Sequence, residues 1–571
     1  MYQSPMRDTR PGTRLARNGA EPRFLGIHSP AMSRLNLMRA LALTLAALCL
    51  PAGDAVAQAA ASRQPAPIQP VSPRPTLVVM LTVDQLRPDY LSMWERQFTG
   101  GLARLLHGGA VFLNGFQDHA NTETAPGHAS TLSGRFPSST GIVSNSAGVF
   151  DPQFPLIGAR GDPASPFRFR GTTLTDWIRF SSPGSRALSV SRKDRGAILP
   201  LGRAMQPAFW YASNGTFTTS RYYGDSLPVW VQAFNDRKLP QQWAGKSWDL
   251  LLDPAQYREP DSIATEAGGR DYVFPHVMPA DASQAAASFS GFPMMDQLTL
   301  SLALEGVRQM KLGAGPVTDL LAVSLSTTDA VGHRFGPDSR EIHDQIIRLD
   351  RYLGAFFDTL FTLRDSTRIV FALTADHAVS PLPGTKSRYP NQGAGYVNPT
   401  PAIVPLFASL RASGVDTSAF AFDEGILYLD EAALTKAGLR ADAVARTFAT
   451  EVMKVPGVLR VDRVSTLSQK DTSTDYVARR WLHQLPPDVP AIAVVTLKPY
   501  WYWPGYNFAT HGSPHDSDAN VPIIFYGAGI KPGKNTRRAL VVDIAPTLAA
   551  VLGVHPMERL DGHPLREAIK P

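Results

Sequence analysis

Residues 77–83, Leu-Val-Val-Met-Leu-Thr-Val, are apolar at nearly every position rather than at alternate ones, and the run ends on Asp84. A short run without alternation fits a strand covered on both faces, as in a parallel sheet sandwiched between helices. The pattern recurs along the chain. Residues 320–326 precede Asp329, residues 369–374 precede Asp376 and His377, and residues 521–526 follow His511. Helical stretches are expected at 127–133, 294–309, 340–360, 431–455 and 543–552. Together these predict an α/β fold: a doubly wound, mostly parallel central sheet flanked by helices, with its site at one strand edge. Two regions rich in Pro, Gly and aromatic residues, about 146–293 and 382–499, read as insertions capping that edge.

The ends of the chain restrict where it works. Arg34 and Arg39, an apolar run at 40–50 and Ala55-Val56-Ala57 before Gln58 have the order of a secretory signal, 32–57. Residues 1–31 lack hydrophobic periodicity and read as a mis-assigned extension, 58–75 as an Ala/Pro-rich linker, and 76–571 as the catalytic domain. The apolar run is well short of the roughly 20 residues of a spanning helix, so no stable membrane anchor is expected. A periplasmic or secreted protein, monomeric, is expected. The sole cysteine, Cys49, lies inside the signal, which excludes cysteine nucleophiles, thiolate metal sites and Fe-S clusters from the mature protein. Of the formal charge of +7, seven arginines against three acids lie before Gln58, leaving only +3. Nucleic acid is therefore not an expected partner.

One hydroxyl stands out. In Asn-Thr-Glu-Thr-Ala-Pro-Gly-His-Ala-Ser-Thr, 121–131, Thr124 sits where a loop becomes a helix, with Pro126 near the first turn. Free N–H groups at such a start can face an anion. Without thiolates, zinc would need carboxylate and imidazole ligands, and two sets are present. Asp329 and His333, in Thr-Thr-Asp-Ala-Val-Gly-His, are one helical turn or a tight loop apart, and His511 can join them. Asp84, Asp376 and His377 form the other set, with Thr124 able to bridge as an alkoxide. Singly, each Asp reads as a cap or turn residue. Their joint occurrence at the ends of several buried strands favours a metal centre.

On these residues the chain resembles the alkaline phosphatase superfamily of two-zinc hydrolases, from about Leu77 to the C-terminus. Thr-Val-Asp-Gln-Leu-Arg around Asp84, Thr-Ala-Pro-Gly-His from Thr124, Asp329 with His333, Asp376-His377 and His511-Gly follow the family's order and residue types. Within it the chain is most similar to periplasmic, phosphate-irrepressible alkaline phosphatases with a threonine nucleophile. Asn145, in Gly-Ile-Val-Ser-Asn, resembles their phosphoryl-contacting asparagine. Lys193 and Arg195, in Ser-Arg-Lys-Asp-Arg-Gly-Ala-Ile-Leu-Pro, resemble their phosphate-binding Lys-x-Arg pair. The resemblance implies two Zn²⁺ per chain and hydrolysis of small phosphate monoesters through a covalent phosphothreonine at Thr124.

Charge favours the same substrates. Two Zn²⁺ balance Asp84, Asp329, Asp376 and a Thr124 alkoxide, so Lys193 and Arg195 are needed to hold a monoester dianion and much less so a diester. A nucleotide pyrophosphatase or phosphodiesterase of the same superfamily is the alternative. A sulfatase lacks its Cys/Ser-x-Pro-x-Arg signature here, a phosphoglycerate mutase would be cytosolic, and a mere phosphate or metal binder needs no bridging hydroxyl. Other residues receive plainer readings: His128 as a structural helix-start residue, His343 as a solvated helix face, His515 without a ligand pattern, Lys386 and Arg388 as solvated charges, and 500–508 as cap packing that can stack on an aromatic leaving group.

Overall fold

The computed structural model describes residues 74–385, 393–503, 505 and 507–571. The proposed extension and signal, Cys49, nearly all of the linker, and Lys386 and Arg388 lie outside the described residues. Seven strands matter for the site: β1 (Leu77–Val83), β2 (Ala110–Phe116), β3 (Ala187–Ser191), β4 (Ala208–Tyr211), β5 (Asp319–Leu325), β6 (Ile369–Thr374) and β7 (Asn520–Gly527). They lie in the order β2-β7-β6-β1-β5-β3-β4, with Gly533–Asn535 outside β2 and Phe217–Thr218 outside β4. From β6 to β4 neighbours run parallel, with Val79 opposite both Leu321 and Phe371. Every residue of β1, β5 and β6 is buried, as unbroken apolar runs require of strands covered on both faces.

The order places consecutive chemistry together. β1 is flanked by β5 and β6, so the residues following these three strands share one edge, at the kind of crevice where open α/β sheets place their sites. β7 runs antiparallel to β6 and to β2. Its N-terminal end therefore lies at that same edge, which is how His511, upstream of the strand, reaches the aspartates that follow the others.

Four helices support this edge: α1 (Thr124–Ser133), α2 (Met294–Gln309), α3 (Thr327–Phe335) and α4 (Arg340–Leu363). The stretch expected as one helix over 431–455 is two, Glu431–Lys436 and Ala441–Val452, because Gly438 takes φ 73°, a left-handed geometry that ends the first. Segment 146–293 contributes β3 and β4, so it extends the sheet as well as covering it. Segment 382–499 builds a four-stranded antiparallel sheet of Phe420–Asp423, Ile426–Leu429, Ala491–Leu497 and Val458–Arg463. Leu427, Phe448, Val452 and Val495 belong to a core of its own. No helix among the described residues is long and apolar enough to cross a membrane.

α4 corrects one expectation. His343 is not on a solvated face: it is buried, stacks on Trp94 at 4.4 Å, and its ring nitrogens meet Glu259 at 2.8 Å and Gln97 at 2.6 Å. The polar pattern of this stretch reflects anchoring instead of hydration, since neighbouring groups also hold the chain between 248 and 276. Glu341 meets the His276 ring at 3.0 Å. Asp344 accepts from Trp248 Nε1 (2.6 Å), Leu251 N (2.7 Å) and Tyr257 Oη (2.6 Å). Asp344→Ala leaves those donors unpaired and is expected to cost about 3 kcal/mol in denaturant unfolding.

α1 lies so close to the sheet edge that an ideal Cβ on Gly127 would sit 2.2 Å from the carbonyl oxygen of Asp376 and 2.7 Å from its Cα. Both are rigid backbone atoms, so they cannot yield as a flexible side chain would. Gly127→Ala is expected to destabilise the fold by about 2 kcal/mol or more, measured by thermal or denaturant unfolding.

Candidate active site

Asp84 follows β1 directly, Asp376 follows β6 by one intervening residue, and Asp329 stands in the first turn of α3 beyond β5. The strand register thus gathers carboxylates separated by up to 292 positions. Gln85, at φ 69° in the turn after β1, ties them together: its N–H donates to Asp376 Oδ1 and its Nε2 to Asp329 Oδ1, both at 3.2 Å. His333 lies one turn beyond Asp329, with Nε2 3.0 Å from Asp329 Oδ1, and His511 Nε2 is 3.7 Å from the same oxygen. His377 Nε2 is 3.4 Å from Asp84 Oδ1.

The structure therefore assembles two groups, Asp329 with His333 and His511, and Asp84 with Asp376 and His377, each with one ligand atom per residue inside a 4.8 Å span. The imidazoles share an orientation. Nδ1 of His333 faces the carbonyl of Ala509 at 2.6 Å, that of His511 the carbonyl of Thr122 at 2.7 Å, and that of His377 the carbonyl of Ala378 at 3.0 Å. Each Nδ1–H donates to a carbonyl, which fixes the tautomer and turns the Nε2 lone pair inward, as metal-ligating histidines require. Burial and the neighbouring His511 hold the pKa of His377 well below its ordinary value, so this ring is neutral and able to ligate.

Charge supplies a second test of fit. Three buried carboxylates face three imidazoles and the single ammonium of Lys193, 2.6 Å from Asp84 Oδ2 and 2.7 Å from Asp329 Oδ2. Neither Asp84 oxygen accepts a well-directed hydrogen bond, nor does His377 Nε2 have a partner. Burial, then the charges of Asp329 and Asp376, push the Asp84 carboxyl above its usual range. Burial acts on Asp329 in the same sense, but His333 and Lys193 outweigh it and hold that carboxyl well below. Oxygen and nitrogen donors with a surplus of negative charge fit divalent cations such as zinc.

Thr124 is the first residue of α1, following an extended Glu123, and is buried. Lys193 Nζ donates to its Oγ1 at 3.1 Å. Asn145 braces the same turn: its Oδ1 accepts from Ala125 N at 2.9 Å, and its own N–H donates to Glu123 Oε2 at 2.7 Å. That leaves the Asn145 amide nitrogen as the donor available to a ligand. Lys193 precedes the short helix Asp194–Ile198, and Arg195 lies within it. Thr124, Asn145, Lys193 and Arg195 all line one cavity of about 540 Å³ together with Asp329, His333 and His511. Asp84, Asp376 and His377 lie beneath, fully buried.

Four residues of this site were missed from the sequence. Gln85 sits beside a recognised aspartate, yet only the folded turn reveals its links. Arg192, next to Lys193, has Nη2 3.4 Å from Asp329 Oδ2. Glu123 and Glu424 line the cavity. Burial and the proximity of Glu123 push Glu424 up to about 8. Glu424 belongs to a Glu-Gly turn, φ 45° and 83°, between Phe420–Asp423 and Ile426–Leu429. That hairpin was legible as a Gly-containing turn between apolar runs, but its position over the pocket was not. Ser146 Oγ donates to Asp423 Oδ2 at 2.6 Å and ties the hairpin beside Asn145.

The plainer residues separate. His128 is buried in α1, its ring between Thr124 O (2.9 Å), Asp376 Oδ2 (3.1 Å) and Ser324 Oγ (2.9 Å), so it supports Asp376 from behind. His515 bonds Leu497 O and the Tyr476 hydroxyl, away from both groups. Of residues 500–508, Tyr502 packs with its hydroxyl donated to Pro381 O, whereas Trp503 and Phe508 line the cavity.

Residues 78–394 match the family model for type I phosphodiesterase / nucleotide pyrophosphatase. Over 514 residues the chain is 30% identical to alkaline phosphatase PhoV of Synechococcus elongatus, covering 86% of this chain and 92% of that one. Over 533 residues it is 30% identical to alkaline phosphatase PafA of Elizabethkingia meningoseptica, covering 87% and 95%. The crystal structure of wild-type PafA matches with a TM-score of 0.81 at 30% identity, over 87% of this chain and 99% of that one. The central sheet and its flanking helices are thus the PafA fold, and the chain belongs to the type I phosphodiesterase / nucleotide pyrophosphatase family of the alkaline phosphatase superfamily.

Proposed function

We propose that the protein is a zinc-dependent alkaline phosphatase that hydrolyses small phosphate monoesters through a phosphothreonine formed on Thr124, in the periplasm or outside the cell. The carrying observation is the ammonium of Lys193 beside the Thr124 hydroxyl and between two carboxylate–imidazole groups. The named relatives, alkaline phosphatases, support the same activity.

Asp84, Asp376 and His377 would hold one zinc and Asp329, His333 and His511 the other, with Thr124 shared. Bound there, the two cations would neutralise the carboxylates, lower the pKa of the hydroxyl and stabilise charge on phosphate oxygens. The protein's own part is orientation. α1 and the Asn145 brace hold Thr124 Oγ1 for in-line attack on phosphorus, and the alcohol departs on the opposite side. Lys193, Arg195 and the Asn145 amide nitrogen hold the non-bridging oxygens, where an ammonium and a guanidinium favour a dianion over a monoanionic diester. Water then displaces phosphate from the threonine in a second in-line step, restoring the hydroxyl.

A second reading, a nucleotide pyrophosphatase or phosphodiesterase, is favoured by the family model alone. Hydrolysis of an aryl monoester and its bis-aryl diester separates the two. Two zinc ions per chain and a monoester preference are expected, with loss of both zinc and activity after chelation. Lys193→Ala is expected to lower monoester kcat/KM about a hundredfold and the diester rate less, and Thr124→Ala to lower turnover at least about a thousandfold. A better wild-type rate on the diester would overturn the monoesterase reading. Full activity of Thr124→Ala would overturn the covalent one.

A further inference from the structure

The cavity that contains Thr124 adjoins a second one of about 310 Å³, and the two share Arg192, Lys193 and Arg195 as lining. The rest of the second cavity is Tyr211, Ser213, Ala287 and Ser290, with no acidic side chain among its lining residues. The Tyr211 hydroxyl is already donated to Ala286 O at 2.7 Å. Three cations thus border a small polar recess beside the reaction centre.

Their existing contacts differ in quality. Lys193 is closely held, at 2.6 and 2.7 Å from carboxylates. Arg192 reaches Ser290 O only at 3.3 Å and Asp329 Oδ2 at 3.4 Å, and Arg195 reaches Asp194 Oδ1 at 3.4 Å. The Nε atoms of both arginines are buried without a hydrogen-bond partner. A guanidinium carries five donors that match an oxyanion in pairs, so contacts near the limit of hydrogen-bond length mark two forks without a fitting acceptor. Neutralising Asp329 does not explain Arg192, because Lys193, His333 at 3.0 Å and Gln85 at 3.2 Å already serve that carboxylate. Arg195 has the transferred phosphoryl group as its acceptor in the proposed function. Arg192 has none.

We infer that Arg192, with the serines of the adjoining recess, forms a second anion subsite that takes a carboxylate or further phosphate carried by the alcohol portion of the substrate. The inference rests on the phosphomonoesterase reading of the first cavity. It makes the protein selective among monoesters: those bearing another anionic group bind across both cavities, and those with an uncharged alcohol use only one.

The test compares phenyl phosphate with 3-carboxyphenyl and 3-phosphonophenyl phosphate, in wild type, Arg192→Met and Arg192→Lys. The readout is the ratio of kcat/KM for each charged substrate to that for phenyl phosphate, which cancels any general loss from disturbing Asp329. Arg192→Met is expected to lower that ratio about tenfold, chiefly through KM, and Arg192→Lys to retain part of it. A parallel titration by calorimetry uses phenylphosphonate and 3-carboxyphenylphosphonate, which bind without turnover. An affinity advantage of the carboxylated ligand that disappears in Arg192→Met supports the subsite even if wild type hydrolyses none of the esters, in which case only the phosphatase reading fails. Ratios and affinities that change equally for charged and uncharged ligands, within about twofold, would overturn the subsite and leave Arg192 a positioning residue for Asp329.

Discussion

Three carboxylates from different parts of the chain, Asp84, Asp329 and Asp376, are buried together at one edge of a parallel sheet. Concentrating that much negative charge away from water is unfavourable unless cations and directed donors meet it. Much of the surrounding architecture answers this constraint. Gln85 donates to two of the carboxylates, Lys193 bridges two, and His128 supports Asp376 from within α1. The imidazoles of His333, His377 and His511 are turned inward by the carbonyls of Ala509, Ala378 and Thr122. The hydroxyl of Thr124 is placed against this charged centre by α1, whose close approach is possible because Gly127 has no Cβ.

The sheet was legible because its central strands are buried on both faces, and such strands must be written in uninterrupted apolar residues. The aspartates at their ends were legible for a related reason: a strand's register carries the following residue to the edge along with it. Thr124, Asn145 and the Lys193–Arg195 pair were recognisable through motifs local in sequence. His343 was not read correctly, because a buried polar anchor and a solvated charge look alike along a helix until the opposing surface, here Glu259, Gln97 and Trp94, is in place. Glu424 was missed for the converse reason. Its turn is local, but what the turn faces depends on how a whole insertion packs.

The insertions make the pocket more than the sum of the ligands. One brings the hairpin tip with Glu424 into the pocket lining, while the segment around β3 and β4 brings Arg192, Lys193 and Arg195. The pocket lining therefore combines these three cationic side chains with Glu123 and Glu424, two carboxyls that burial pushes above their ordinary range. The two carboxylate–imidazole groups gather at the edge of the sheet, and much of the remaining pocket lining comes from segments that the pairing around β1 does not require.

β7 has a further consequence. It is the strand that joins β2 to β6, and the other partners of β2, Gly533–Asn535 and Ala539–Leu540, lie still later in the chain. β1, β5 and β6 all precede β7 in the chain, and His511 stands just ahead of the strand that fills the place between β2 and β6. The third member of the Asp329–His333 group and the strand that joins β2 to the rest of the sheet thus come from one short, late stretch of sequence.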